Sequence, residues 1–284
     1  MGLNNRAVLV HVTISQWRGR HVDDNVANEV AAKYGVQDTY DSYVKNLLPP
    51  IAFKEIRKTA REIREFVTKN TLPWQDNGIR VLPSKSYMQF MQQLGALRDN
   101  FDREVEYFIS QYPKWVEHAK QSKKGLFDEK QYPSQQGLRN HFGIELNITP
   151  FPEIEDFRID SVSEDDMEAL REQARANVGT AMDKATQTLI TRIRDRVQLL
   201  HQSLKDPKRS VFEATVSAVP DTANLANELN ISDDPEVTFL ANAVISTMED
   251  VTADKLRSSV GYRKEIANKL NVILANSGDK NVHG

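Results

Sequence analysis

Residues 167–204, MEALREQARANVGTAMDKATQTLITRIRDRVQLLHQSL, carry an apolar or small residue at every third or fourth position. The mean spacing is about 3.7 residues, which is the period of one face of an α-helix. At about 1.5 Å per residue this helix is roughly 55 Å long. A compact chain of 284 residues has a diameter of about 50 Å. The sequence therefore predicts either an elongated molecule or a helix that packs on another copy.

The apolar stripe on this helix has two interpretations that the sequence leaves open. It is either the core of a single chain or the seam of a homo-oligomer, since small residues within it let helix backbones approach closely. The residues that we predict for self-association are Met167, Leu170, Val178, Leu189, Ile193, Val197, Leu200 and Leu204.

Local signals set the ends of the helices in this half of the chain. Ser163 followed by Asp166 is a capping-box pattern, and Lys205-Asp206-Pro207 ends the long helix. Two further helices are predicted over 209–228 and 235–274, the second of which begins at Asp233-Asp234-Pro235.

The first half of the chain mixes both element types. Residues 7–14, AVLVHVTI, alternate in the manner of a strand. The other predicted elements are helices over 51–69 and 84–118 and short strands over 79–82, 145–149 and 157–160. We therefore predict a mainly α fold of α+β character, with a small N-terminal sheet packed on helices in residues 1–161 and a long-helix hairpin or bundle in residues 162–284.

Composition excludes several kinds of chemistry. The chain has no cysteine, so disulfides, thiol catalysis and cysteine-based zinc sites are ruled out. It has no phosphate-binding loop and no paired histidine spacing, which predicts a protein without catalytic residues, cofactor or metal. No apolar run approaches about 18 residues, so we expect no membrane partner and a location in the host cytoplasm.

Three segments are nevertheless candidates for binding. Trp17-Arg18-Gly19-Arg20-His21 suits an anion or a nucleic-acid backbone, unless Trp17 simply covers the core at a strand end. Residues 54–69 carry six basic side chains that suit phosphates, or an exposed salt-bridged helix, because three acidic residues are interleaved. The run Glu153-Ile154-Glu155-Asp156 suits either a divalent cation or a solvated loop.

Several short motifs resemble a known family. They are Ile14–Arg20, Thr71-Leu72-Pro73-Trp74, Gly78–Pro83, Tyr132-Pro133-Ser134, Pro152–Arg158 and Asn230–Pro235. Together they resemble an uncharacterised family, a domain of unknown function, of bacteriophages and integrative mobile elements. The resemblance implies no catalytic residues. It does imply a genetic context beside an AAA+ ATPase of the chelatase or MoxR type and a von Willebrand A-type partner.

These observations lead to one expectation and two alternatives. We expect a non-enzymatic phage or mobile-element adaptor that acts through protein–protein assembly, with an AAA+ ATPase as the implied partner. The residues expected to bind a partner are Trp17, Arg18, Arg20, Trp74 and Arg80. The first alternative is a nucleic-acid-binding accessory factor in recombination or replication, which would use Arg18, Arg20 and the basic face of the helix over 54–69. The second is an inhibitor of a host protein.

Overall fold

The fold is given by a computed structural model that describes residues 5–36, 42–74, 77–151, 163–206 and 208–277. The prediction of a mainly α fold with a small antiparallel sheet is confirmed. The helices are α1 (Asp24–Tyr34), α2 (Lys54–Asn70), α3 (Tyr87–Lys123), α4 (Gln135–Leu138), α5 (Glu164–Lys205), α6 (Glu213–Leu229), α7 (Pro235–Met248), α8 (Ala253–Ser258) and α9 (Val260–Asn276). The strands are β1 (Ala7–Ser15), β2 (Arg20–Val22), β3 (Val44–Asn46), β4 (Leu72–Pro73), β5 (Arg80–Pro83) and β6 (Gly143–Pro150).

The main sheet has the strand order β4-β5-β1-β6. β1 and β5 are antiparallel, with Ala7 opposite Pro83 and Val10 opposite Arg80. The strands predicted over 7–14, 79–82 and 145–149 are therefore present, whereas the one predicted over 157–160 lies outside the described residues. β2 and β3 form a separate antiparallel pair.

The chain forms two compact units, each built from separate stretches of sequence. Unit 1 comprises Met1–His11, Thr68–Gln89 and Asn147–Gly284, and unit 2 comprises Val12–Val67 and Phe90–Leu146. The boundary that the sequence suggested near residue 161 lies outside the described residues.

The core of unit 1 is built around the C-terminal two-thirds of α5. Packing of α5 against α6, α7 and α9 buries one apolar cluster. That cluster contains the stripe residues Leu189, Ile193, Val197, Leu200 and Leu204. Burying such a side chain contributes about 1.5–3 kcal/mol. This part of the stripe is therefore intramolecular core, while Met167 is buried and Leu170 and Val178 are half-buried farther towards the N-terminus.

Capping side chains account for one helix boundary that the sequence predicted correctly and for one helix that it did not divide. The predicted cap of α5 is present, since the Ser163 hydroxyl accepts a hydrogen bond from the Asp166 backbone N–H. The single helix predicted over 235–274 is instead divided into α7, α8 and α9. Asp250 adopts a left-handed backbone conformation after α7, and the Thr252 and Ser259 hydroxyls cap α8 and α9. The two hydroxyls accept hydrogen bonds from the N–H groups of Lys255 and Tyr262, which in a continuous helix would donate to preceding carbonyls.

Unit 2 is centred on an aromatic cluster. Phe53 precedes α2, and its ring centroid lies 5.1 Å from that of Phe108 on α3. Phe108 also contacts Tyr112 and Phe142, at 6.1 Å and 5.8 Å between centroids. Such pairs hold the elements together through both buried area and ring geometry.

None of the helices in the described part of the chain combines the length and the apolar character that crossing a lipid bilayer requires.

Candidate functional site

The loop that connects β1 to β2 in unit 2 is held in a defined shape. Gly19 has a φ of +58°, a left-handed conformation that glycine adopts without strain. Its carbonyl accepts a hydrogen bond from the Leu47 N–H at 2.7 Å. A Cβ at this position would overlap the ring of Phe53. Gly19 is therefore required both by the backbone conformation and by the close approach of Phe53.

Trp17 anchors this loop. Its half-buried ring lies 5.8 Å from Phe53, 6.5 Å from Phe108 and 5.8 Å from Tyr112, measured between centroids. Three of its neighbours are therefore aromatic side chains of the same unit. This agrees with the interpretation in which Trp17 covers the core, and it leaves the arginines as the groups that face solvent.

Arg18 and Arg20 are both exposed. Neither guanidinium has an ion pair or hydrogen bond with a described residue. The acidic run at 153–156, the partner that would have given these arginines a purely structural role, lies outside the described residues. The loop thus presents two cations next to each other on a fixed backbone.

The strand pair after the loop is fixed by a buried ion pair. Arg20 pairs with Asn46 across β2 and β3. Next to this pair, the Lys45 ammonium donates to the Asp23 carboxylate at 2.7 Å and to the Leu126 carbonyl at 2.8 Å. The hydrogen bond from Lys45 holds the pKa of the Asp23 carboxyl below its usual value, and Asp23 also caps α1. These bonds fix the backbone that carries Arg20.

The basic residues of α2 are not spread evenly around the helix. At about 100° per residue, five cations fall within an arc of roughly 120°, opposite the buried side of the helix. All five are exposed: Lys54, Arg57, Lys58, Arg61 and Arg64. Of the three acidic residues in the same segment, Glu55 and Glu62 lie outside this arc. The two signs interleave along the chain, but around the helix only Glu65 shares the arc with the five cations, and this spacing is present in the sequence.

Few carboxylates neutralise this face. Lys54 lies 3.8 Å from Glu55 and Arg61 lies 3.6 Å from Glu65, in two exposed pairs. Exposed ion pairs of this kind contribute little to stability, so these two cations can leave their carboxylates to bind another anion. Arg57, Lys58 and Arg64 have no ion pair with any residue that the structure describes. The face therefore keeps most of its positive charge.

Phe53 connects the loop to the helix. Its ring packs against Gly19, and the guanidinium carbon of Arg57 lies 5.2 Å from its ring centroid. The loop cations and the first turn of α2 consequently share one aromatic support. We define the basic surface as Arg18, Arg20, Lys54, Arg57, Lys58, Arg61 and Arg64.

The other two residues expected to bind a partner belong to unit 1 and are engaged within it. The Trp74 ring is half-buried and lies 4.8 Å from the ring of Phe151. The half-buried Arg80 guanidinium donates to the Thr71 hydroxyl and to the carbonyls of Thr68 and Thr71. Burial lowers the pKa of Arg80. Their contacts place both side chains in the packing of unit 1.

Two further sources of functional information are metal-ligand clusters and similar proteins. The described ranges contain no group of three or more histidine, aspartate or glutamate side chains close enough to hold a metal ion. No family model, curated protein or solved structure matches this chain. The basic surface and its chemistry are therefore the basis for assigning a function.

Proposed function

We propose that this chain is an accessory protein that acts by binding, and that its basic surface holds the sugar–phosphate backbone of a nucleic acid. The observation that carries the proposal is the segregation of five α2 cations on one exposed arc beside Arg18 and Arg20. The net charge of the whole chain is −3, so this concentration of positive charge is local. Local basic patches steer and hold polyanions even on an acidic protein.

The dimensions of the surface suit a chain of phosphates. Lys54 and Arg64 are ten residues apart, which is about 15 Å along the helix axis. A duplex carries one phosphate charge per about 1.7 Å of its axis, so several phosphates fall within that length. Arginine and lysine contacts to phosphates fix position without reading sequence. We therefore propose binding that depends on backbone charge and is largely independent of sequence.

The resemblance to the phage and mobile-element family belongs to the same proposal. It supports an origin in such an element and a role next to an AAA+ ATPase. A protein that holds nucleic acid while an ATPase acts on that nucleic acid is consistent with both the basic surface and the family resemblance.

A binding measurement with matched variants tests the proposal. Fluorescence anisotropy of a labelled 20-nucleotide oligothymidylate, titrated at several salt concentrations, gives both affinity and its salt dependence. The triple variant Arg57→Gln, Lys58→Gln, Arg64→Gln removes three cations that have no described ion-pair partner. If each contacts one phosphate, the slope of log K against log salt falls in magnitude by about 2.

The control is the triple variant Lys114→Gln, Lys120→Gln, Lys130→Gln. It changes the charge of unit 2 by the same amount at exposed positions off this surface. We expect it to bind nearly as the wild type does. Equal losses in both triple variants would contradict the assignment of the site, and no binding by the wild type at low salt would contradict the function.

The loop is tested separately. Arg18→Ala with Arg20→Ala should weaken binding by about 1–3 kcal/mol, the range for lost hydrogen bonds to charged groups. Its melting temperature should stay close to that of the wild type, because exposed substitutions change stability by only about 0.5 kcal/mol. Lost stability with unchanged binding would show that the loop has a structural role only.

A protein partner is a second candidate, favoured by the exposed face of α1 in unit 2. Val30 and Tyr34, four residues apart, are 50% and 74% exposed. Val22 and Val44, opposite each other on β2 and β3, are each 49% exposed. An amphipathic helix face of this kind is typical of a protein contact and would suit the adaptor role. If so, a protein that co-purifies with the wild type, identified by mass spectrometry, should be missing from the Val30→Ser, Tyr34→Ser double variant. The affinity of this variant for oligothymidylate should be unchanged.

A further inference from the structure

A cavity of about 400 Å³ lies in unit 1, lined by the last turn of α5 together with α8 and α9. Four cationic side chains line it: Lys205, Arg257, Arg263 and Lys264. None of the described lining residues carries a carboxylate. Four like charges around one small volume repel one another unless an anion offsets them.

Two of these cations are fixed by contacts inside the protein. The Arg263 guanidinium donates through Nε to the Leu204 carbonyl at 2.9 Å and through Nη2 to the Ser203 and Asp206 carbonyls, each at 2.6 Å. It thereby satisfies carbonyls at the C-terminal end of α5, where no helical N–H follows. Arg257 donates to the Val211 carbonyl and is paired with Asp254.

The remaining donors have no such partner. Lys205 and Lys264 are exposed and make no ion pair or hydrogen bond with a described residue. Nη1 of Arg263 likewise has no hydrogen-bond partner in the described part of the chain. Lys205 and Lys264 come from α5 and α9, so the cavity collects donors from two helices around an arginine that is already held in place. Because the Arg263 guanidinium is already held in place, it binds a ligand at a lower entropic cost than a mobile side chain does.

The other wall of the cavity is apolar. Leu256 is buried and contributes its side chain together with Ala267. Val260 is 72% exposed and also lines the cavity. The combination of a cationic wall and an apolar wall suits an amphiphilic organic anion, and the volume is in the range of small-molecule sites.

We propose that this cavity binds a small phosphate-bearing molecule of mononucleotide size. The phosphate is held by Lys205, Lys264 and the unused Nη1 of Arg263, and the organic part lies against Leu256 and Val260. Phosphate is favoured because its several acceptor oxygens match the ammonium and guanidinium donors that line the cavity. The site is in unit 1 and does not depend on the basic surface of unit 2.

Isothermal titration calorimetry of the full chain tests this with three probes: adenosine monophosphate, inorganic phosphate and adenosine. We expect adenosine monophosphate to bind, inorganic phosphate to compete with it at higher concentration, and adenosine to bind at least tenfold more weakly. Lys205→Gln and Lys264→Gln should each weaken adenosine monophosphate binding about tenfold. Equal binding of adenosine and its monophosphate would overturn the phosphate assignment, and no binding of any probe would overturn the site.

Two controls distinguish ligand binding from a structural role and from the proposed function. Lys69→Gln with Lys184→Gln changes two exposed lysines of unit 1 off the cavity and should leave affinity unchanged. If Lys264→Gln lowers the melting temperature without ligand and leaves affinity unchanged, the lysine is structural and the proposal fails. The triple variant Arg57→Gln, Lys58→Gln, Arg64→Gln should bind adenosine monophosphate as the wild type does, whether or not it binds oligothymidylate.

Discussion

Arg80 and Arg192 donate to the same two carbonyl oxygens, those of Thr68 and Thr71. The Nη2 atom of Arg192 lies 2.8 Å and 3.1 Å from these oxygens, and that of Arg80 lies 3.3 Å and 3.1 Å from them. Thr68 belongs to the last turn of α2, where carbonyls have no helical donor. Burial, with a smaller effect from Arg80, lowers the pKa of Arg192 to about 10. The helix end thus takes the place of a carboxylate for two neighbouring arginines.

The first prediction concerns this helix end. Arg192→Gln should destabilise the protein by about 1–3 kcal/mol, because the Lys69 carbonyl loses the Arg192 donor while the carbonyls of Thr68 and Thr71 keep Arg80. Arg196→Gln, at an exposed position of the same helix, should change stability by less than about 0.5 kcal/mol. Urea unfolding measures both. Equal effects of the two substitutions would show that the carbonyl contacts contribute nothing specific.

The second prediction concerns Gly19. Gly19→Ala should cost about 1–3 kcal/mol or more, since the residue has a positive φ and a Cβ would meet the Phe53 ring. Gly95→Ala is the matched control, because Gly95 lies inside α3 with no atom within 4 Å of the added Cβ. That change should stabilise the protein by about 0.5–1 kcal/mol. Thermal unfolding of both variants checks the difference in sign.

The third prediction is a dependence on acid at Asp23. Its pKa in the folded state is below the ordinary value of 3.8, chiefly because of the hydrogen bond from Lys45. A lowered carboxyl pKa contributes stability that is present above the ordinary value and is lost as pH falls through the folded value. Asp23→Asn should therefore flatten the stability curve below about pH 4. Lys45→Met alone should lower the melting temperature more than Lys45→Met combined with Asp23→Asn does, because the single variant leaves a buried carboxylate without its partner.

The fourth prediction concerns His201, which is 7% exposed in α5. Burial, together with the nearby Lys205, lowers its pKa below the ordinary value of 6.5. The unfolded chain then takes up a proton first, so stability is full above about pH 6.5 and falls as the pH drops below it. His201→Gln should reduce this loss between about pH 7 and pH 5, whereas His118→Gln, at an exposed position, should not. Denaturant midpoints across this range measure the effect, and parallel curves for His201→Gln and wild type would contradict it.

The fifth prediction is self-association, for which part of the α5 stripe is still available. Leu170 is half-buried and outside the core cluster, whereas Val178 packs against that cluster and the stripe from Leu189 onwards belongs to it. Light scattering should give a mass of at least twice 32.3 kDa, and Leu170→Ser should lower it to that of the monomer. A monomer mass for the wild type would leave the stripe with a role inside one chain only.

The features that follow from local sequence were predictable. In helix α5, apolar or small residues recur every three or four positions over ten successive steps, and this pattern predicts the helix. Its start is predicted by a capping serine with an aspartate three residues later. The division of residues 235–274 was harder to see, because the apolar pattern continues across Asp250, Thr252 and Ser259. There the capping hydroxyls and one left-handed residue determine the structure.

The two candidate sites differ in the same respect. The α2 arc depends only on the helix period, so residues 54–64 of the sequence contain all the information needed to predict it. The cavity depends on Lys205 and Lys264, which are 59 positions apart in the sequence and line the same cavity because α5 packs on α9. Contacts between distant positions are set by tertiary packing, which a single sequence does not display.

The division into two units also determines how the protein can be made. Each crossing from one unit to the other falls inside a regular element, at His11–Val12 in β1, Val67–Thr68 in α2, Gln89–Phe90 in α3 and Leu146–Asn147 in β6. Neither unit is formed by one continuous stretch of sequence, so no single fragment of the chain consists of one whole unit and nothing else. During synthesis from the N-terminus, unit 2 has all its residues once Leu146 has emerged from the ribosome. The β5 strand of unit 1 is synthesised before α5 to α9, which supply most of the core of that unit. A chain released from the ribosome before these helices are made would therefore contain all of unit 2 but lack most of the core of unit 1.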